Sequence, residues 1–249
     1  MLLKWMIVTQ LREVKMFRLT VKDIQSKFVW NYRNEMFVTD KTGVKMLEIP
    51  AASFLCTEPA IFGVPNEDYI EREIGWYMNQ SLNVNDIPGG PPEIWKQVAD
   101  KDGYINSNYG WCIFAEENGN QYSHVLDELS QNPNSRRAVM IYTRPTMHQD
   151  YSTNGMSDFM CTNAVQYMIR DGYLEVIVQM RSNDVIFGYR NDFAWQNYIA
   201  SKLQNELNLK GRNIYWQVGS LHIYERHFNY VEEKISELGI GNSSMVEGS

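Results

Sequence analysis

Apolar residues recur along this chain with two periods, and the change from one to the other lays out its elements. Val21, Ile24, Phe28 and Val29 share one face of a helix that Thr20 is suited to cap. Asp40-Lys41-Thr42-Gly43 reads as a turn between a short apolar run at Met36-Phe37-Val38 and an alternating run over 44–54. Asn66 predicts the start of a second helix, with Ile70, Ile74 and Tyr77 on one face, and 86–92 (DIPGGPP) predicts a loop. In the second half, 138–142, 160–169, 173–180 and 214–224 predict strands. Residues 191–208 predict a long helix with Phe193, Ile199, Leu203 and Leu207 apolar. Helices and strands alternate without a repeating βαβ unit, which predicts an α+β fold with a large mixed sheet.

Asp171-Gly172 between two strand runs predicts a two-residue hairpin. The register set by that turn puts Cys161 opposite Ser182 and Thr162 opposite Arg181; a single β-bulge would shift both pairings by one.

At 249 residues with 44% apolar content, the chain can bury one sizeable core, so a single domain over 1–249 is expected. A net charge of −7 argues against a general nucleic-acid binder, yet a few arginines gathered in one cleft still suit a small anion. The three cysteines, Cys56, Cys112 and Cys161, have no CxxC or Cys/His spacing, so no metal site is expected and a reducing compartment is. The apolar start MLLKWMIVTQL is interrupted by Lys4 and lacks a small-residue cleavage site. No apolar run approaches the roughly 18 residues of a membrane span, so a cytoplasmic protein is expected. The sequons at Asn79 and Asn242 then carry no meaning.

Cys161 alone is an ordinary strand cysteine. Arg181 nearby changes that, because a guanidinium favours the thiolate, the nucleophilic form. Arg136-Arg137 after a turn-rich stretch is either an exposed basic pair or a bidentate phosphate clamp. His222, Tyr224 and His227, spaced down one strand, suit half-buried packing or hydrogen bonds to a sugar. Asp192, after Asn191, reads from position alone as a helix cap or a charge on the helix dipole.

Five segments together carry a resemblance: Asp40-Lys41-Thr42-Gly43, Asn134-Ser135-Arg136-Arg137, Met160-Cys161-Thr162-Asn163, Arg181-Ser182-Asn183-Asp184-Val185, and Gly219-Ser220-Leu221-His222-Ile223-Tyr224. In order and spacing they resemble the thymidylate synthase family, and most of all its phage branch that hydroxymethylates deoxycytidylate. The match runs from about Phe37 to His227. The resemblance implies that Cys161 adds to carbon 6 of a pyrimidine nucleotide. It implies that Arg181, Ser182, Arg136, Arg137 and Lys41 hold the phosphate, with Asn183 also at the substrate, and that His222 and Tyr224 take the sugar hydroxyl. Glu73, with Glu71 as rival, would move protons and order water; Trp95 and Asp184 would contact the folate, and Tyr109 would line the cleft. The implied assembly is a homodimer with a sheet face buried and Arg136 and Arg137 reaching the partner's site. The implied co-substrate is 5,10-methylenetetrahydrofolate, with no metal, membrane or obligatory nucleic acid.

Three departures from ordinary thymidylate synthases steer the expected reaction. Their nucleophile is followed by histidine, whereas this chain has Thr162. Eight residues after the matching Asp184 they carry an asparagine that reads uracil, whereas this chain has Asp192, which suits cytosine. Only 228–249 follow His227, so the family's long C-terminal portion, which shields hydride transfer, is expected to be missing and capture by water favoured. Hydroxymethylation of dCMP is therefore expected. A CMP hydroxymethylase, a dUMP-directed enzyme and a non-catalytic nucleotide- or RNA-binding relative are the alternatives.

Overall fold

The structure, a computed structural model, describes residues 18–239; the apolar N-terminal stretch and the Asn242 sequon lie outside the described residues. The described elements run α1 (Val21–Arg33), β1 (Phe37–Thr39), β2 (Lys45–Leu55), α2 (Glu67–Met78), α3 (Glu93–Val98), α4 (Tyr109–Phe114) and α5 (Gln121–Gln131). They continue with β3 (Val139–Ile141), α6 (Met147–Asp150), β4 (Thr162–Arg170), β5 (Tyr173–Asp184), α7 (Gly188–Glu206), β6 (Gly211–Tyr224) and α8 (Asn229–Glu237).

The strands form one sheet in the order β1-β2-β6-β5-β4-β3, antiparallel except for β5 and β6, so the expected mixed α+β sheet is what folds. Its inner face carries Val165 and Tyr167 from β4, Val176 and Val178 from β5, and Ile214 and Trp216 from β6, all buried. Helix α7 lies on β5 and β6, with Trp195, Ile199 and Leu203 buried. The opposite face, with Gln166, Met168, Ile177, Gln179, Tyr215 and Gln217, is half-buried to exposed.

Local chemistry sets the helix starts. Thr20 and Asp23 form a capping box on α1, and the Asn66 side chain accepts from the Tyr69 amide at the start of α2. Helix α7 departs from expectation by starting three residues early. One oxygen of Asp184 accepts from the amides of Ile186 (2.9 Å) and Phe187 (2.8 Å), closing the turn that leads straight from β5 into α7. Asp192 therefore lies in the second turn of α7, which rules out the cap reading.

The hairpin at Asp171-Gly172 keeps the expected register from Arg170↔Tyr173 to Ala164↔Gln179, then a bulge at Asn163 shifts it to Thr162↔Met180. The Arg181 amide accordingly donates to the Cys161 carbonyl (2.9 Å), so Cys161 faces Arg181 and not Ser182. His227 also moves from its expected place, into a turn (Glu225–His227) beyond β6, so it does not share a strand face with His222 and Tyr224.

Candidate active site

Because β5 and β6 run parallel, their ends lie level: Ser182 pairs with Ser220, Asn183 with Leu221 and Asp184 with His222. The antiparallel neighbour β4 begins at the same edge, just after Cys161. Gly219 permits this close approach, since a Cβ there would lie 2.7 Å from the Arg181 carbonyl oxygen.

Arg181 is the brace of the nucleophile segment. Its Nε donates to the Met160 carbonyl (3.0 Å), and its Nη2 to the Phe159 carbonyl (2.7 Å) and towards the Cys161 sulfur (3.5 Å). Two opposed effects act on the thiol. Burial pushes it up to about 11, Arg181 pulls it down, and Asp192 and Asp158 push it further up. Burial wins, so the resting protein holds a protonated thiol; the expected help from Arg181 is real but smaller. Burial pushes Cys56 and Cys112 higher still, to about 12, even though the Arg144 charge pulls Cys112 down.

Helix α2 supplies the carboxylate. Glu73 is buried on the face of Ile70 and Tyr77, whereas Glu71 points to solvent. Glu73 Oε1 accepts from the Tyr69 hydroxyl (2.5 Å) and the Trp95 indole (3.0 Å). Burial raises its affinity for a proton, and these two donors oppose the rise. Tyr69 and the Trp95–Glu73 bond were not legible in advance. Tyr69 precedes Glu73 by one helical turn, so the spacing was visible but not its use.

Asp192 lies close enough to Glu73 to feel its charge. Burial, then the Glu73 charge, pushes its carboxyl group up to about 7, against donation from Tyr109 and Asn183. The Asn183 amide donates to Asp192 Oδ2 (2.7 Å) and accepts from the Trp216 indole (3.1 Å). Thr162, the residue after Cys161, donates to the Tyr109 hydroxyl (3.0 Å). Tyr109 is itself buried, and it and Asn183 both reach the Asp192 carboxyl group.

The remaining expected residues fall into two groups. Tyr224 and His222 stand at the end of β6 with rings 5.0 Å apart, and the His222 ring lies 3.3 Å from the Ser220 carbonyl oxygen. Asp184 keeps its second oxygen buried with no partner among the described residues, an acceptor still open. Lys41 is exposed on the β1–β2 turn, where Asp40 accepts from the amides of Thr42 (2.7 Å) and Val44 (3.0 Å); that turn lies close enough for Asp40 to act on Tyr224.

Arg136 and Arg137 are not brought to this edge. The pairing Val139↔Gln166 puts Arg137 level with Met168, six residues beyond Thr162 on β4, which is roughly 20 Å of strand. There Arg137 pairs with Glu128 (3.0 Å) and both arginines are exposed.

A half-buried thiol beside a guanidinium and within reach of the Asp192 charge, with Glu73 acting on Asp192 in turn, can perform nucleophilic addition with general acid–base help. No helix among the described residues is long and apolar enough to cross a membrane, and no cluster of three or more His, Cys, Asp or Glu among them could hold a metal ion.

Comparison with known proteins agrees with this chemistry. The chain is 54% identical over 237 residues to the deoxycytidylate 5-hydroxymethyltransferase of Enterobacteria phage T4, covering 92% of this chain and 96% of that relative. It is 54% identical to the enzyme of the same name from Enterobacteria phage T2, over 86% of this chain and 90% of that one. The thymidylate synthase of Francisella philomiragia is 27% identical over 67% of this chain and 65% of its own length. The thymidylate synthase family model matches residues 66–241, from the cap of α2 past the end of α8, and this chain belongs to the thymidylate synthase family.

Proposed function

We propose that this protein is a deoxycytidylate 5-hydroxymethyltransferase, converting dCMP, 5,10-methylenetetrahydrofolate and water to 5-hydroxymethyl-dCMP and tetrahydrofolate. The observation that carries the choice of base is Asp192, a half-buried carboxyl group pushed up to about 7 where uracil-reading relatives have an asparagine. Cytosine offers a lone pair at nitrogen 3 and a donor at its 4-amino group. A protonated carboxyl group matches both, giving its proton to one and accepting from the other.

In this reading the Cys161 thiol gives up its proton to water ordered by Glu73 as its sulfur bonds to carbon 6, and the ring electrons move to carbon 5, which becomes the nucleophile. Proton sharing between Asp192 and nitrogen 3 grows as the adduct forms, so it stabilises the adduct more than the substrate. Glu73 moves protons and orders water, and release of the thiol restores the aromatic ring. Arg181, Ser182 and Lys41 would hold the phosphate, and His222 and Tyr224 the sugar. Methylenetetrahydrofolate supplies the one-carbon unit when bound. Trp95 and Asp184 would hold it, and the unpartnered Asp184 oxygen fits a ring N–H donor.

The same reading includes a twofold dimer. Arg136 and Arg137, roughly 20 Å of strand from their own Cys161, would serve the partner's phosphate site, with the open sheet face as the interface. The test of the reaction is a side-by-side assay of dCMP, CMP and dUMP with pterin analysis. Turnover confined to dCMP, with tetrahydrofolate formed, is the expected result. Stoichiometric dihydrofolate with a 5-methyl product, or a preference for dUMP, would refute it.

A further inference from the structure

We infer that Trp216, acting through Asn183, is a positioning residue that decides which oxygen of Asp192 stays bare and which is free to carry a proton. The inference rests on the reading of Asp192 as the group that recognises the base.

Trp216 is fully buried on β6, among the largest side chains of the core, and its indole nitrogen can only donate. The acceptor it meets is Asn183 Oδ1, at 3.1 Å. An amide side chain is close to symmetric in shape, so its orientation is decided by its partners. With Oδ1 committed to Trp216, the Asn183 NH2 must face Asp192, and it lies 2.7 Å from Oδ2. An NH2 donates only, so Oδ2 is held as an acceptor and a proton on Asp192 belongs on Oδ1. That is the pattern cytosine needs: a proton for nitrogen 3 from Oδ1, and a second lone pair of Oδ2 for the 4-amino group.

The opposite amide orientation reverses the pattern. Asn183 would then present its oxygen to Oδ2, which could approach only by holding the proton itself. Oδ1 would be left bare against the lone pair of nitrogen 3, a mismatch for cytosine and a match for the N3–H of uracil. A buried mismatch of this kind discriminates strongly between bases.

Room for the pair comes from Gly188, the first residue of α7. A Cβ there would lie 3.0 Å from Asn183 Nδ2 and 3.8 Å from Asp192 Oδ2. The titratable groups that act on Asp192 or feel its charge are Glu73 and Tyr77 from α2, Tyr109 from α4, Cys161 ahead of β4, and Asp184 at the end of β5. None of them touches the Trp216 indole nitrogen, so a change confined to that nitrogen reports on the amide.

The test is Trp216→Phe, which keeps an aromatic ring and removes the donor, studied beside Asn183→Ala and the double variant. kcat/KM is measured for dCMP and dUMP across about pH 5.5 to 9, with thermal stability in parallel. Expected for Trp216→Phe are a loss on dCMP of about tenfold or more, a narrowed dCMP-to-dUMP ratio, and a basic limb moved up by about one pH unit, because Asp192 loses a donor that favours its charged form. The double variant should be no worse than Asn183→Ala alone. A lowered stability with the base ratio and the basic limb unchanged would make Trp216 a core residue only and overturn the inference. If Trp216→Phe does not fold, Gly188→Ala, which crowds the same amide, should narrow the base ratio; an unchanged ratio there also overturns it. Asp192→Asn separates the two levels. An unchanged base preference in that variant overturns the base reader and the relay together, whereas a changed one with an inert Trp216→Phe overturns the relay alone.

Discussion

If Arg137 serves the partner's site, mixing two crippled chains should rebuild working sites. The perturbation is Arg137→Ala in one chain and Cys161→Ala in the other. The register of β3 on β4 puts Arg137 level with Met168, roughly 20 Å of strand from Thr162, a span no arginine side chain bridges within one protomer. Losing a charge-assisted contact to phosphate costs about 1.5–3 kcal/mol, roughly 10- to 150-fold in KM. Arg137→Ala homodimers assayed far below KM should therefore run at about 1–10% of wild type, and Cys161→Ala homodimers at background. Random exchange at equal concentrations makes half the dimers mixed, and each mixed dimer holds one intact site and one doubly defective site. About a quarter of all sites should then work normally, well above the residual rate of Arg137→Ala. The Arg137–Glu128 pair does not stand in the way, because so exposed an ion pair is cheap to give up. The assay is tritium release from carbon 5 of dCMP after subunit exchange verified by mass. Activity no higher than the diluted Arg137→Ala rate would show that Arg137 acts within its own chain, and a monomer in solution would end the shared site altogether.

Two further outcomes are expected. A 5-fluoro-dCMP analogue with methylenetetrahydrofolate should trap an adduct whose mass maps to Cys161, since the fluorine cannot leave as a proton does; an adduct on Cys56 or Cys112 would refute the assignment. Asp192→Asn should be more stable than wild type above neutral pH and gain little below about pH 4. The folded carboxyl group holds its proton up to about 7, above its ordinary value of 3.8, so wild-type stability falls as pH rises between the two and levels off beyond. The gain is at most about 4 kcal/mol, read as melting temperature against pH, and parallel profiles for both proteins would show that Asp192 is not held up in this way.

Local rules carried the reading as far as local rules decide structure. Thr20 and Asn66 cap the helices they were expected to cap, and Asp171-Gly172 turns the hairpin, because each acts on backbone within a few residues. Glu71 stood as a rival to Glu73, although helical phase distinguishes them: only Glu73 falls three and four residues from Ile70 and Tyr77. Helix α5 was legible too, with Tyr122, Val125 and Leu129 in period, but went unread. The bulge at Asn163 was not legible. Nothing in Cys-Thr-Asn-Ala marks an extra residue, and the bulge shows only in the pairing with β5. The supports of Asp192 were hidden for the same reason: Trp216 and Asn183 are 33 residues apart and meet only across paired strands. The two oxygens of Asp184 differ in the same hidden way, one spent on the turn before α7 and the other buried with no partner among the described residues.

The parallel pairing of β5 and β6 has a consequence for how such a protein changes its substrate. A parallel pair needs a crossover, and here the crossover is α7, the element that carries Asp192. Asn183, Asp192 and Trp216 therefore lie within one strand–helix–strand unit over 173–224, while Glu73 and Tyr109 belong to helices outside it. On the reading proposed above, most of the choice of base is written in a single contiguous stretch of about fifty codons, apart from the stretch that carries Glu73. One recombination event across that stretch would exchange Asn183, Asp192 and Trp216 together, with no intermediate in which a carboxylate faces an amide turned the wrong way. A change of base would then come by inheriting a module, without a string of impaired single substitutions.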